Sequence, residues 1–281
     1  MADGKFPELE PVDLDATRQA AHAYARVAGA WAKARRRKRK HWWHASLRPS
    51  LYGLTTGVIY GPTDFEIELD LASSRIHVRT CSSSFSERLT GQSSAQLAAS
   101  INAALQVAGV SGGVAPDTDF VTKDSYSNYS ADQANILHRA IGSVAAALED
   151  FRAGIREEKS PVQVWPHHFD VSMIWLPGAK VAGQDPANEE YSDKQMNFGF
   201  AFGDDSVPEP YFYVTAYPLP DALPQVTLPS GTTWQSEGFN GAVLLYKDLI
   251  ATSDPHAYLQ DLWSTLLTAG REYLRADDEE G

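Results

Sequence analysis

Residues 65–81 leave this chain little choice of local structure. Phe65, Ile67, Leu69 and Leu71 alternate with Glu66, Glu68 and Asp70, and a period of two puts each set on its own face of an extended strand. Beyond Ser73 and Ser74 the pattern resumes, with Ile76 and Val78 on one side and Arg75, His77 and Arg79 on the other. Two such runs joined by so short a link predict an antiparallel hairpin. With Ser73 and Ser74 as the two loop residues, Leu71 faces Ile76 and Leu69 faces Val78, while Asp70 faces His77 and Glu68 faces Arg79. Both faces then match chemically, which supports the register.

Around this hairpin the apolar periodicity predicts helices over 16–40, 94–108, 131–158 and 255–275. In the first, Ala20, Tyr24, Val27 and Trp31 form one stripe, Asp15 is a candidate cap, and the basic run Lys33, Arg35, Arg36, Arg37, Lys38, Arg39 and Lys40 falls at the C-terminal end, where cations suit the helix dipole. The last carries a stripe of Leu259, Leu262, Trp263, Leu266 and Leu267. Further strands are expected near 162–169, 170–176, 195–202, 210–217 and 241–246, and loops at 82–93 and 122–130 are candidate lids. The expected fold is a single α+β domain over 15–276, with antiparallel sheets and long helices packed on one side. A flexible leader (1–14) and an acidic tail (277–281) flank it. Residues 42–109 and 164–275 each read as a His-bearing strand, further strands and a helix, which suggests two similar halves joined by the central helix.

The formal charge of −12 argues against bulk nucleic-acid binding. Only the basic run at 33–40 speaks for a polyanionic partner, and a charged helix end is more often a solvated face. The single cysteine, Cys81, rules out an intramolecular disulfide or a thiolate zinc centre. The acidic N-terminal segment lacks the apolar stretch of a secretory signal, and no apolar run approaches the roughly 20 residues of a membrane span. The expectation is therefore a cytoplasmic protein off the membrane. P-loop, dinucleotide-binding, nucleophile-elbow and His-Glu-x-x-His motifs are absent, and Gly53-Leu54-Thr55-Thr56-Gly57 lacks the lysine of a nucleotide loop.

Two histidine motifs stand out. His41-Trp42-Trp43-His44 leads into Ala45-Ser46-Leu47-Arg48. On a strand, His44, Ser46 and Arg48 share a face with Trp42, and His41 and Trp43 share the other. In Trp165-Pro166-His167-His168-Phe169-Asp170, the same alternation puts His168 beside Asp170, where a carboxylate can orient an imidazole or join it on a metal. His138 in the central helix and the Tyr211, Tyr213, Thr215 and Tyr217 strand face are further ligand-binding candidates. Each has a structural counterpart: aromatic anchors, bonded core histidines, and a salt-bridge lattice of Glu66, Glu68 and Asp70 with Arg75, His77 and Arg79.

The segments HWWH (41–44), GLTTGVI (53–59), FEIELDL (65–71), SPVQVWPHHFD (160–170), NFGFAFGD (197–204) and PYFYVTAYP (210–218) resemble a bacterial family of unknown function, domain-of-unknown-function family 5996. The resemblance spans roughly 15–275. It implies one domain and no particular reaction.

The leading expectation is a small-molecule enzyme in which His44, His168 and Asp170 converge in a Trp-lined pocket. They would act as zinc or iron ligands, or as acid–base groups with Arg48 holding an anionic substrate. Trp42, His41, His167, Trp165, His138 and Tyr213 would complete the ligand surface. The alternative is a non-catalytic ligand- or partner-binding protein with structural histidines.

Overall fold

A computed structural model describes residues 6–115 and 124–275, so the acidic tail and the first five residues of the leader lie outside the described residues. In chain order the elements are α1 (Pro11–Arg35), a 3-10 segment (Lys40–Ala45), β1 (Arg48–Pro49), β2 (Gly53–Thr55), β3 (Phe65–Asp70), β4 (Arg75–Thr80), β5 (Ser84–Arg88) and α2 (Ser94–Val107). Then follow α3 (Ala131–Ala153), β6 (Glu158–Lys159), β7 (Gln163–Trp165), β8 (Asp170–Leu176), α4 (Glu189–Ser192), β9 (Gln195–Ala201), β10 (Tyr211–Tyr217), β11 (Thr232–Gln235), β12 (Gly241–Leu245), α5 (Tyr246–Ile250) and α6 (Pro255–Tyr273). The fold is α+β with antiparallel sheets. It divides into two compact units, the first Leu9–Gly142 with Gln163–Phe169, the second Met1–Glu8, Ser143–Val162 and Asp170–Gly281.

The first unit holds a five-stranded sheet in the order β1-β2-β3-β4-β5. The β3–β4 hairpin forms, but its register pairs Asp70 with Arg75 and Leu69 with Ile76, two residues from the expected one. The favoured two-residue turns need positive φ at the first central position at least, and of the two serines only the second, Ser74, adopts it (φ 52°). Asp70 stabilises a longer turn instead: its carboxylate accepts the Ser73 N–H (2.8 Å) and hydroxyl (2.6 Å). A shift of two keeps every side chain on its face, so Phe65, Ile67, Leu69, Leu71, Ile76 and Val78 are all buried. The charged partners meet diagonally, Arg79 to Glu68 at 2.6 Å and His77 to Asp70 at 3.4 Å. Glu68 and Asp70 are themselves buried, so this face is only partly solvated. Residues 84–88, read from sequence as loop, form the edge strand β5, held by its ladder to β4 rather than by an apolar face of its own.

Helix α1 covers the apolar face through Ala20, Tyr24, Val27 and Trp31, with Trp31 edge-on to Phe65 at 5.5 Å. It begins five residues earlier than expected, at Pro11, and Asp15 is no cap: it pairs inside the helix with Arg18 (2.7 Å) and Gln19 (2.8 Å). It ends at Arg35, and Arg36 is already extended. Helix α2 opens with a capping box of Ser93 and Gln96, and Gly109 follows its end at φ 84°.

The second unit holds a sheet in the order β11-β12-β10-β9-β8-β6. The strand orders of the two sheets differ, so the two halves share element types rather than topology. Phe198 on β9 packs 4.9 Å from Phe151 of α3, which lies 5.4 Å from Trp263 of α6. On the opposite sheet face, Gly199 stands between Ser172 and Tyr213 in register. A Cβ there would lie 2.4 Å from the Tyr213 hydroxyl and 2.8 Å from Ser172 Cβ, so only glycine lets the Tyr213 ring lie across β9.

Candidate functional site

The two histidine motifs meet in the first unit. An antiparallel bridge joins Leu47 and Val164, with N–H···O distances of 2.9 and 3.0 Å. Ser46 Oγ donates to Gln163 Oε1 at 2.9 Å, and Arg48 Nη1 donates to the same oxygen at 3.3 Å. This sets HWWH beside WPHH, and both cross α1 at Gly29. A Cβ at Gly29 would stand 2.4 Å from Pro166 Cγ and 3.7 Å from the Ala45 carbonyl oxygen. His22, Arg26, Gly29 and Lys33 recur at helical steps and line that face of α1. Arg48 therefore braces the junction of the motifs.

HWWH is not a strand. It is a 3-10 segment in which His41 (φ 48°) and Trp42 (φ 59°) both take left-handed backbone. Strand alternation is lost: His41 and His44 are both buried, while Trp42 is 44% exposed. The His44 ring stacks on Trp42 (5.6 Å, 23°) and its Nδ1 accepts the Arg39 N–H at 3.2 Å, which leaves the ring proton on Nε2. Burial holds the His44 pKa below its ordinary value, reinforced by the charges of Lys38, Arg36 and Arg39. His41 stacks on Trp43 at 6.3 Å. The ammonium groups of Lys33 and Lys38 sit 5.9 and 5.6 Å from the centre of the Trp42 ring.

WPHHFD is not a continuous strand either. Residues 166–169 turn, and Phe169 has φ 61°. The turn brings the His167 and His168 rings to 4.3 Å and sets Trp165 edge-on to His167 at 5.6 Å. His22, which the sequence reading passed over, joins them: its Nε2 donates to the Pro166 carbonyl at 3.0 Å and its ring stacks on Phe169 at 5.5 Å. Its signal was its helical spacing from Arg26 and Lys33. Arg26 Nη1 donates to the His167 carbonyl at 3.4 Å. Burial, then Arg26, lowers the His22 pKa to about 4. His167 is also lowered to about 4, first by the crowding of protein around it and then by His168, Arg26, His22 and Lys33. Its outer edge still reaches water, and Arg26 and Lys33 are the permanent charges among these neighbours.

Asp170 opens β8 in the second unit, and the Tyr213 hydroxyl donates to its carboxylate. Burial, then the Asp170 charge, holds Tyr213 well above its ordinary pKa, so it remains a donor. The left-handed Phe169 interrupts the alternation that would have put His168 and Asp170 on one strand face. Among the described residues no group of three or more His, Cys, Asp or Glu side chains is arranged to hold a metal ion, so His44, His168 and Asp170 do not form the expected ligand set. Tyr211, from the same strand face as Tyr213, donates to Asp204 at 2.5 Å. His138 is half-buried in α3, its pKa lowered by burial and raised by Asp70, which associates it with the β3–β4 turn.

The fold and this surface define an α+β protein with a cationic face of stacked imidazole and indole rings, and among the described residues no helix is long and apolar enough to cross a membrane. The chain belongs to the family of unknown function DUF5996, whose model matches residues 6–280. No curated protein and no solved structure matches it.

Proposed function

We propose that this chain binds a small anionic molecule on the first unit, where HWWH and WPHH lie side by side across α1. The observation that carries the reading is this convergence, fixed by the Leu47–Val164 bridge and the Gly29–Pro166 contact. It gathers Arg26, Lys33 and Lys38 around His22, His44 and His167, whose imidazoles are all held below the ordinary pKa. Among the described residues Lys33 and Lys38 form no ion pair, and they rest against the Trp42 ring. Both residues are exposed, and a charge-assisted hydrogen bond from either to a ligand oxygen is worth about twice a neutral one. His22 and His167 supply hydrogen-bonding groups without adding charge.

The test is calorimetric titration with inorganic phosphate at low ionic strength. Binding is expected, weaker with added salt because the lysines are exposed and weaker in Arg26→Ala and Lys33→Ala. A wild-type protein that takes up no phosphate, or variants that bind it equally well, overturn the proposal. Acid–base catalysis is the second reading, favoured by the 4.3 Å approach of His167 and His168. A base with a pKa near 4 is poorly matched to pH 7, so this reading requires the bound anion to raise the His167 pKa. Imidazole proton NMR with and without phosphate measures that rise.

A further inference from the structure

Of the other six indoles, those of Trp31, Trp175 and Trp263 are buried and those of Trp43, Trp165 and Trp234 half-buried. Trp42 alone combines high exposure with a fixed orientation. Its ring is backed by His44, and His44 is in turn held by the Arg39 amide through Nδ1. Its backbone and that of His41 take up a left-handed conformation that residues with a Cβ rarely adopt. The segment therefore holds an aromatic plate out toward water. Two ammonium groups, Lys33 from α1 and Lys38 from the segment beyond it, converge on this one ring. Like charges brought to the same ring repel, and an anion seated between them relieves the repulsion.

From this placement we infer that the ligand of the proposed site is a planar aromatic ring carrying a phosphate or carboxylate group. The ligand's ring stacks on the Trp42 face away from His44, and Lys33 and Lys38 swing from over the indole to hold the anionic group between them. The inference rests on the anion-binding reading above and adds the ring to it. An indole face accepts any planar π-system, so the platform selects for a ring, and the two lysines select for charge on it. A bare anion uses only the lysines, and an uncharged ring uses only the indole.

The experiment compares phenyl phosphate with inorganic phosphate by calorimetric titration of the full chain. In the wild type, phenyl phosphate should bind on the order of 10-fold more tightly, the contribution of one ring stacked on an aromatic side chain. Trp42→Ala should bring the ratio of the two affinities down to about one, and Trp42→Phe should keep most of it. Far-ultraviolet circular dichroism of the variants confirms that the fold is intact. Equal affinity for the two probes in the wild type, or a ratio that survives Trp42→Ala, overturns the stacked-ring inference and leaves the anion site standing. Failure of both probes to bind overturns both readings together. If adenosine monophosphate binds no better than phenyl phosphate, the ring is recognised by stacking alone, as inferred. An advantage that needs the nucleobase and persists in Trp42→Ala refutes it.

Discussion

Gly29 and Gly142 both lie inside helices of the first unit, and alanine at the two positions should act in opposite directions. In a helix interior, alanine is favoured over glycine by about 1 kcal/mol. At Gly142 the added methyl meets nothing within 4 Å, so Gly142→Ala should stabilise by about 0.5–1 kcal/mol. At Gly29 it would stand 2.4 and 2.7 Å from Pro166 Cγ and Cβ. Ordinary carbon–carbon contact needs about 3.5 Å or more, so the ring must retreat by about 1 Å. Pro166 is itself buried and its ring is rigid, with no side-chain rotation to give way, and such overpacking costs about 1–3 kcal/mol. Because the helix-propensity gain is common to both sites, the difference between the two variants isolates the clash at about 1–3 kcal/mol. Urea unfolding reads it as a shift of midpoint at constant slope. The same retreat moves residues 166–169, so the His22 and His167 imidazole signals should shift in Gly29→Ala and not in Gly142→Ala. If Gly29→Ala raises the urea midpoint as much as Gly142→Ala, Pro166 does not press on α1 and the assembly of the site described above is wrong.

In the second unit, Gly199→Ala should displace the Tyr213 ring from across β9 and destabilise by about 1–3 kcal/mol, and Tyr213→Phe, which removes the hydroxyl donor from Asp170, should cost about as much. A Gly199→Ala protein with unchanged thermal midpoint and unchanged tyrosine absorbance would refute that packing. Glu157 accepts two bonds from Arg271 (2.8 and 2.9 Å) and one from Arg275 (3.1 Å), and these hold its pKa at about 2. Its ionised form is favoured by the fold, so the stabilisation is complete above the usual glutamate range and is lost as pH falls toward about 2. Both arginines are partly exposed, so Glu157→Gln should lower stability at pH 7 by only about 1–2 kcal/mol, and an unaltered acid-unfolding curve would remove the bridge from the account. His22 and His167 act in a higher window. The unfolded chain takes up protons from about pH 6.5 downward, while the fold resists protonating them until about pH 4. Stability should therefore fall through that interval and not above it, and His22→Gln should flatten the fall. A His22 imidazole that titrates near pH 6.5 in the folded protein contradicts this.

Which side of β3 and β4 turns inward was legible in the sequence. Alternation is a local steric property of an extended chain, and it survives a register shift of two residues intact, which is why Phe65, Ile67 and Leu69 are buried although the pairing differs. The helical stripes of α1 and α6 were legible for the same reason. Register was not, because Asp70 and Ser73 offer a turn that the strand pattern alone does not favour over the tighter one. The edge strand β5 was not, because its ladder to β4 rather than its own composition holds it extended.

The chemistry-bearing motifs were visible as residue types, and their geometry was not. Left-handed backbone at His41, Trp42 and Phe169 runs against local preference, so no reading of neighbours along the chain predicts it. Packing imposes it, through a glycine on α1 that admits Pro166 and a bridge that joins residues separated by more than a hundred positions. The sequence by itself determined which faces are apolar and which residues could do chemistry, since both follow from side-chain identity and local periodicity. Only the tertiary structure decided that His22 joins His167, that Asp170 goes to Tyr213, and that Trp42 stands open between two lysines, because each of these depends on contacts between segments distant in the chain.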